Sequence, residues 1–309
     1  MIVWLIKRLL LLPITLFFLV SISFFMMRSA PGGPFSSERN LDPVIEQALK
    51  EKYHLDESLF QQYVRFIGDL IQGDLGPSFI QKSKTVNEII AATLPTSILL
   101  GLIAITIALC LGLSMGITAA LYRSRGIDYI TMFVAVLGMS VPAFVIGPLL
   151  QLAFSKILQW FPTAGYHGFT SPSFLILPAL TLGLPFAARI ARLSRGGMLE
   201  VIHQNYIKTA KARGLTDKRV ILNHALKGAL VPVASYLGPA IAAVTTGSLV
   251  VEKIFQIPGL GREFVESALN RDYTLAMGTV LVYGTLLILM NLLSDLISAW
   301  MDPRLRREI

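Results

Sequence analysis

Long apolar runs dominate this chain, and they restrict it to very few folds. Six stretches, roughly 9–28, 95–121, 129–154, 173–193, 229–251 and 274–300, are rich in Leu, Ile, Val, Phe and Ala and poor in charge. An α-helix rises ~1.5 Å per residue, so ~20 apolar residues cross a hydrocarbon core of ~30 Å. Inside a bilayer every backbone N–H and C=O must find a partner within the protein, which favours helices for such runs. The whole chain is 54% hydrophobic and 15% charged, against about one-quarter charged for an ordinary soluble domain. The sequence therefore predicts an all-α polytopic membrane protein with six transmembrane helices.

Two of the runs need comment. The fourth contains Pro178, Pro185 and Arg189, so a kinked span whose last turns leave the bilayer is expected. The first is preceded by Lys7 and Arg8, as a signal peptide would be. However, Leu9 to Met27 outlasts a typical h-region of ~7–15 residues, and Arg28 stands where a small residue would favour cleavage. An uncleaved helix over 1–28 is expected.

Lys and Arg set the orientation. Lys7 and Arg8 place the N-terminus in the cytoplasm. The short loop 122–128 carries Arg123 and Arg125, and the tail 302–309 carries Arg304, Arg306 and Arg307. Residues 189–227 carry nine Lys/Arg against Glu200 and Asp217, whereas 29–94 carry six Lys/Arg and nine Asp/Glu. Six spans put every basic segment on the cytoplasmic side and 29–94 outside. Within that external region Val44, Ile45, Leu49, Leu59, Tyr63, Phe66, Ile67 and Leu70 have helical spacing. One or two amphipathic helices over the outer face are expected.

Several chemistries are excluded. The middles of the six spans hold no Asp, Glu or His; Lys156 and Glu252 fall at outer ends and Asp295 near an inner one. That leaves no intramembrane proton relay, although backbone carbonyls at a helix break remain open to Na⁺. No G-x-x-x-x-G-K-[ST] occurs, and Gly259-Leu260-Gly261-Arg262 reads as a turn after Pro258. His54, His167, His203 and His224 have no metal-binding spacing, and Cys110 is the lone cysteine. The net charge of +8 belongs to residues flanking the spans, so it reads as topology and not as a nucleic-acid surface. With no catalytic constellation and no private energy source, uphill transport would need a partner.

The sizeable cytoplasmic segment 194–228 is where such a partner would dock. Met198, Ile202, Tyr206 and Ala210 recur at four-residue spacing, so one helix is expected over Gly197–Arg213. Gly214 suits the left-handed position that ends it, and Thr216 can cap a second helix. Small side chains at Thr209, Ala210 and Ala212 would let a partner surface approach closely. The alternative is a basic loop that only fixes topology against anionic lipid. Gly112-x-x-x-Gly116 in the second span could serve close helix packing or simply face lipid.

Tyr206-Ile207-Lys208-Thr209-Ala210-Lys211-Ala212-Arg213-Gly214, followed by His224-Ala225-Leu226-Lys227, resembles the E-A-A-x-x-x-G loop of ABC importer permeases. The peptide-permease form is the closer match, with Lys208 and Thr209 standing where the general motif has Glu and Ala. Gly73-Asp74-Leu75-Gly76-Pro77-Ser78-Phe79 resembles that family's stretch before the second span. Glu252-Lys253-Ile254-Phe255, Pro258-Gly259-Leu260-Gly261 and Asn270-Arg271-Asp272-Tyr273 resemble its segment after the fifth, and Asp302-Pro303-Arg304 its tail. Ser23-Phe24-Phe25-Met26-Met27-Arg28 and Lys52-Tyr53-His54-Leu55 look most like the oligopeptide-type B subunit.

The resemblance implies a type I ABC importer permease fold, with a transmembrane core over 95–301. It implies an oligopeptide pathway across the bacterial inner membrane, both termini cytoplasmic. Expected partners are a C-type permease subunit, two ABC ATPases that bind ATP and Mg, an external substrate-binding protein, peptide and membrane lipid. Asn205, Tyr206, Lys208, Thr209, Ala210, Ala212, Arg213 and Gly214 are the expected ATPase-docking residues. Dipeptide, nickel, opine or glutathione permeases of the same branch stay open as alternatives, as does a passive channel or scaffold.

Overall fold

The computed structural model describes residues 2–29, 53–81, 83–166, 171–245 and 249–301, together with Gln47, Glu51 and Gly168. For 2–9 and 298–301 it describes the backbone alone. Val44, Ile45 and Leu49, the tail and its Asp302-Pro303-Arg304 motif lie outside the described residues.

Among the described residues the regular structure is helical throughout, apart from a single bridge between Pro77 and Thr85. Four helices are long and apolar enough to cross a membrane, and six spans result if two bent pairs each count as one. The long helices are α1 (Ile2–Ser29), α3 (Val86–Leu121), α6 (Ser173–Ile202) and α12 (Tyr273–Met301). Between the first two lies α2 (Leu59–Ile71). It starts at a capping box in which Ser58 accepts from the Gln61 N–H and the Gln61 side chain reaches back to the Ser58 N–H. α3 begins at Val86, well before the predicted residue 95, because Thr85 and Glu88 form a second capping box.

The third predicted span is not one helix. α4 (Gly126–Ser140) and α5 (Ala143–Leu150, continuing as a π-helix over Gln151–Ile157) meet at 108°. Val141 lies between them in an extended conformation, with φ −88° and ψ 122°. Pro142 supplies the cause: its ring disfavours the α region for the residue before it and its nitrogen offers no N–H. α6 runs unbroken through Pro178 and Pro185. Its 30 residues give roughly 45 Å, longer than a ~30 Å core.

Beyond α6 come α7 (Asn205–Ala212) and α8 (Asp217–Ala229, with a π-turn over Val220–Ala225). α8 enters α9 (Val231–Thr245) at 53°. Then follow α10 (Leu249–Ile254), α11 (Leu260–Leu269) and α12. The centre of the bundle is α3, α6 and α9: Leu100, Ala104, Ala108, Leu177, Ala187, Ile190, Val233, Ala240 and Val244 are buried there. α12 packs on α9, and Ser294 donates to the Ala234 carbonyl at 2.8 Å. α1 lies at the edge, with Phe17, Phe18, Ile22 and Met26 exposed.

Candidate functional site

α7 and α8 form a compact protrusion at one end of the bundle. The expected single helix over Gly197–Arg213 is interrupted: α6 ends at Ile202, and Gln204 is extended with ψ 149° before α7 starts. Met198, Ile207 and Ala210 still share one apolar cluster, because the chain turns at the break and α7 folds back on α8. Tyr206, aligned with them by a four-residue period, is 49% exposed instead.

The end of α7 follows the chemistry of Gly214. Its φ of +79° places it in the left-handed region that favours glycine. The Leu215 N–H donates to the Ala210 carbonyl at 3.4 Å, and the Gly214 N–H to Lys211 at 2.9 Å. These two bonds make a Schellman closure, and Leu215 packs against the cluster that holds Ala210. Thr216 stands at the N-cap of α8 with ψ 146°, making no side-chain cap bond. Lys211 Nζ and Asp217 Oδ1, 2.9 Å apart, join the two helices at the surface.

Asn205, Tyr206, Lys208, Thr209, Ala212, Arg213 and Gly214 lie on the exposed side of the protrusion. Ala210 does not: it is 7% exposed and turned into the cluster. The predicted contact of Ala210 with a partner is therefore corrected to an internal packing role. Lys208, Lys211, Arg213, Lys218, Arg219 and Lys227 make the open surface strongly basic.

The apolar cluster beneath the protrusion is continuous with the long helices. Ala120 and Ile117 of α3, Met198 and Leu199 of α6, and Val220, Ala225 and Ala229 of α8 all belong to it. A load on α7 therefore passes directly into the ends of α3 and α6. Those two helices are joined by small residues. A Cβ at Gly112 would sit 2.6 Å from the Ala187 carbonyl oxygen and 2.7 Å from Ile190 Cβ. One at Gly116 would overlap Ser194 and the Ala191 carbonyl, and one at Gly183 would lie 2.6 Å from the Ala104 oxygen. The Gly112/Gly116 pair thus serves helix packing within this chain. Nearby, Arg195 of α6 grips Asp128 of α4 with two bonds of 2.7 and 2.8 Å, and the Ser124 N–H donates to the same carboxylate at 3.0 Å.

At the opposite end, two buried carboxylates organise the non-spanning segments, and the sequence predicts burial for neither. Asp272, 1% exposed, precedes α12. It accepts from the Ser78 hydroxyl, from the Phe79 and Ile80 N–H groups at 3.2 and 3.3 Å, and from the Leu275 N–H at 3.2 Å. It therefore ties the Gly73–Phe79 loop to the start of α12. Glu252 of α10 is fully buried. Its carboxylate accepts from Ser97 of α3 and from the Arg262 N–H of α11, each at 2.9 Å. Gly259 allows this, since a side chain there would occupy the carboxylate's own space. Burial pushes the Glu252 carboxyl up to about 7, against the hydrogen bonds that favour its charged form. Both residues lie inside motifs noted in the sequence, but the pairing of segments more than one hundred and fifty residues apart has no local signal.

Comparison with known proteins bears on the whole chain. The family described as binding-protein-dependent transport system inner membrane component matches residues 109–307. The oligopeptide transport system permease protein OppB of Haemophilus influenzae is 47% identical over 300 residues, covering 97% of this chain and 98% of that protein. OppB of Escherichia coli K12 is 45% identical over 292 residues, covering 94% of this chain and 95% of that one. The dipeptide transport system permease protein DppB of Bacillus subtilis is 42% identical, covering 98% of this chain and 97% of its own. Among solved structures, the inward-facing MetNI methionine ABC transporter aligns with TM-score 0.57 at 17% identity, over 69% of this chain and 96% of that one. A further amino acid ABC transporter aligns with TM-score 0.52 at 16% identity, over 69% and 94%. At those identities the likeness concerns the fold.

Proposed function

The chain belongs to the family of binding-protein-dependent transport system inner membrane components, and from that premise we propose that it forms half of an oligopeptide pathway across the bacterial inner membrane. The observation that carries the reading is near-full-length similarity to two OppB proteins at 45–47% identity. As a permease subunit it contributes helices and not catalysis.

The rest of the transporter comes from partners. A second permease subunit would complete the pathway. Two cytoplasmic ATPases, holding ATP and Mg, would supply the energy, and an external binding protein would deliver peptide. In this reading both termini and the α7–α8 protrusion face the cytoplasm. One ATPase receives the protrusion on Asn205, Tyr206, Lys208, Thr209, Ala212, Arg213 and Gly214. When the ATPase pair closes on ATP it displaces α7. The Schellman closure and the shared apolar cluster make α7 and α8 one unit, so the displacement reaches α3 and α6. Those helices are joined through glycine contacts and move together, which is alternating access by rigid-body rotation.

The test is co-purification of the ATPase with the chain, coupled to uptake of labelled peptide into proteoliposomes. Ala212→Trp changes an exposed residue of the docking face and should release the ATPase and abolish ATP-driven uptake while the chain still inserts. Uptake that persists without any ATPase would refute the reading. Offering tri- to pentapeptides beside dipeptides separates the OppB-like assignment from the DppB-like one, since DppB of Bacillus subtilis is itself 42% identical.

A further inference from the structure

Arg28 closes the last turn of α1, at the end of the bundle away from the protrusion, and faces a cavity of about 180 Å³. Aromatic rings form much of the wall. The guanidinium lies 5.3 Å from the centre of the Phe24 ring and 5.6 Å from that of Tyr273. Gln62 of α2 accepts one hydrogen bond from it. The orientation of Gln62 is determined by its other end, whose amide N–H groups donate to the Leu55 and Glu57 carbonyls at 3.2 and 2.8 Å. Arg28 Nε is buried and has no acceptor.

Arg65 and His54 also line the cavity, and both contact the Glu57 carboxylate. Arg28 thus brings a positive charge without a carboxylate partner among the described residues. A half-enclosed cation with unused donors is stabilised by an oxyanion. Asp69 lines the same cavity, and it would oppose a ligand carrying only negative charge while favouring one that also carries an ammonium group.

The position of the cavity identifies the source. Arg28 sits where the apolar first span ends, which would bring it to headgroup depth, and the adjacent surface of α1 exposes Ile22, Phe25 and Met26. α2 forms the opposite wall. One of its faces packs on α1 through Tyr63 and Phe66, whose rings lie 5.3 and 5.7 Å from Phe24. Its other face exposes Phe60 (71%), Val64 (53%) and Ile71 (81%). An exposed apolar stripe of this kind belongs at a membrane interface. We propose that the cavity between Arg28, α2 and the start of α12 binds the headgroup of a phosphatidylethanolamine molecule, its phosphate on Arg28 and its ammonium toward Asp69. The lipid would fasten α2 to the end of the first span.

The test uses the full-length chain with its partner subunits, purified from membranes, stripped with detergent, and weighed by native mass spectrometry. Wild type should retain phosphatidylethanolamine at a level that falls at least fivefold in Arg28→Gln, recovers in part in Arg28→Lys, and is unchanged in Arg125→Gln. Vesicles of phosphatidylethanolamine should raise the melting temperature of stripped wild type, and millimolar inorganic phosphate should not. Equal retention by Arg28→Gln would overturn the proposal, and so would equal stabilisation by phosphate, which would make the ligand a free anion. If Arg28→Gln does not insert, a photoactivatable phosphatidylethanolamine on wild type decides the matter. Its crosslinks should fall within residues 24–28 or 62–69, and crosslinks elsewhere only would refute the site.

Discussion

Ser97 and Glu252, 155 positions apart, meet at 2.9 Å, where the Ser97 hydroxyl donates to the buried carboxylate while accepting from the Leu260 N–H at 2.8 Å. One hydroxyl and one carboxylate thereby join α3, α10 and the first turn of α11. The join is sensitive to protonation. Burial raises the Glu252 carboxyl from 4.5 to about 7, with Glu263 adding to the shift and the Arg262 N–H and Ser97 opposing it. An acid whose folded value is raised contributes stability below its unfolded value and loses it as pH rises through the folded one. The Glu252 contribution should therefore be full below about pH 4.5 and fall by about 3 kcal/mol by pH 8. Glu252→Gln should flatten that slope. Melting temperatures in nanodiscs at pH 5 and pH 8 measure it, and equal slopes would refute the assignment.

The α3–α6 seam makes a sharper prediction. Gly116→Ala should destabilise the chain by about 1–3 kcal/mol, since the added methyl overlaps backbone and not only a movable side chain. Gly196→Ala, where a Cβ meets nothing within 4 Å, should be neutral or slightly stabilising. Detergent melting curves of the two variants give the comparison.

Loss of Asp272 should open one end of the molecule locally. Asp272→Ala would leave the Phe79, Ile80 and Leu275 N–H groups without their acceptor, each buried donor costing about 1–3 kcal/mol if water does not replace it. Limited proteolysis should then cut within 73–85, while the α7–α8 protrusion stays as resistant as in wild type.

Asp128 and Arg195 can be tested as a pair. Asp128 is almost fully buried, with 4% of its side chain exposed, against 29% for Arg195. Asp128→Ala should cost about 1–3 kcal/mol by removing the charged hydrogen bonds to Arg195, and the double change with Arg195→Met should recover part of it. A double-mutant cycle on chemical unfolding in mixed micelles reads the coupling.

Much of this was legible in the residues. The apolar runs located α1, α3, α6 and α12, and only α12 kept both predicted bounds to within one residue; α1 and α3 start earlier and α6 ends later. Gly214 was recognised as the left-handed end of α7, because no other residue type takes that conformation at so little cost. Asn205, Tyr206, Lys208, Thr209, Ala212, Arg213 and Gly214, expected from the sequence at a docking face, are exposed. Ala210 did not follow, because small size says nothing of which face a residue occupies. The break at His203–Gln204 rotates α7 relative to α6 and turns Ala210 inward.

What the sequence by itself determined is the class of molecule: an apolar helical bundle that spans a membrane and carries one basic protrusion. Tertiary structure alone decided how the parts meet. Pro142 bends its span by 108° while Pro178 and Pro185 lie within a continuous α6. A proline in a helix interior removes one backbone bond, and packing against neighbours settles whether the helix survives the loss. Likewise Gly112 and Gly116 announce a close approach without naming the partner, and Asp272 and Glu252 give no local sign of burial. Helical periodicity records spacing along one segment. Which surface each face meets depends on contacts between segments far apart in the chain, and those exist only once the chain has folded.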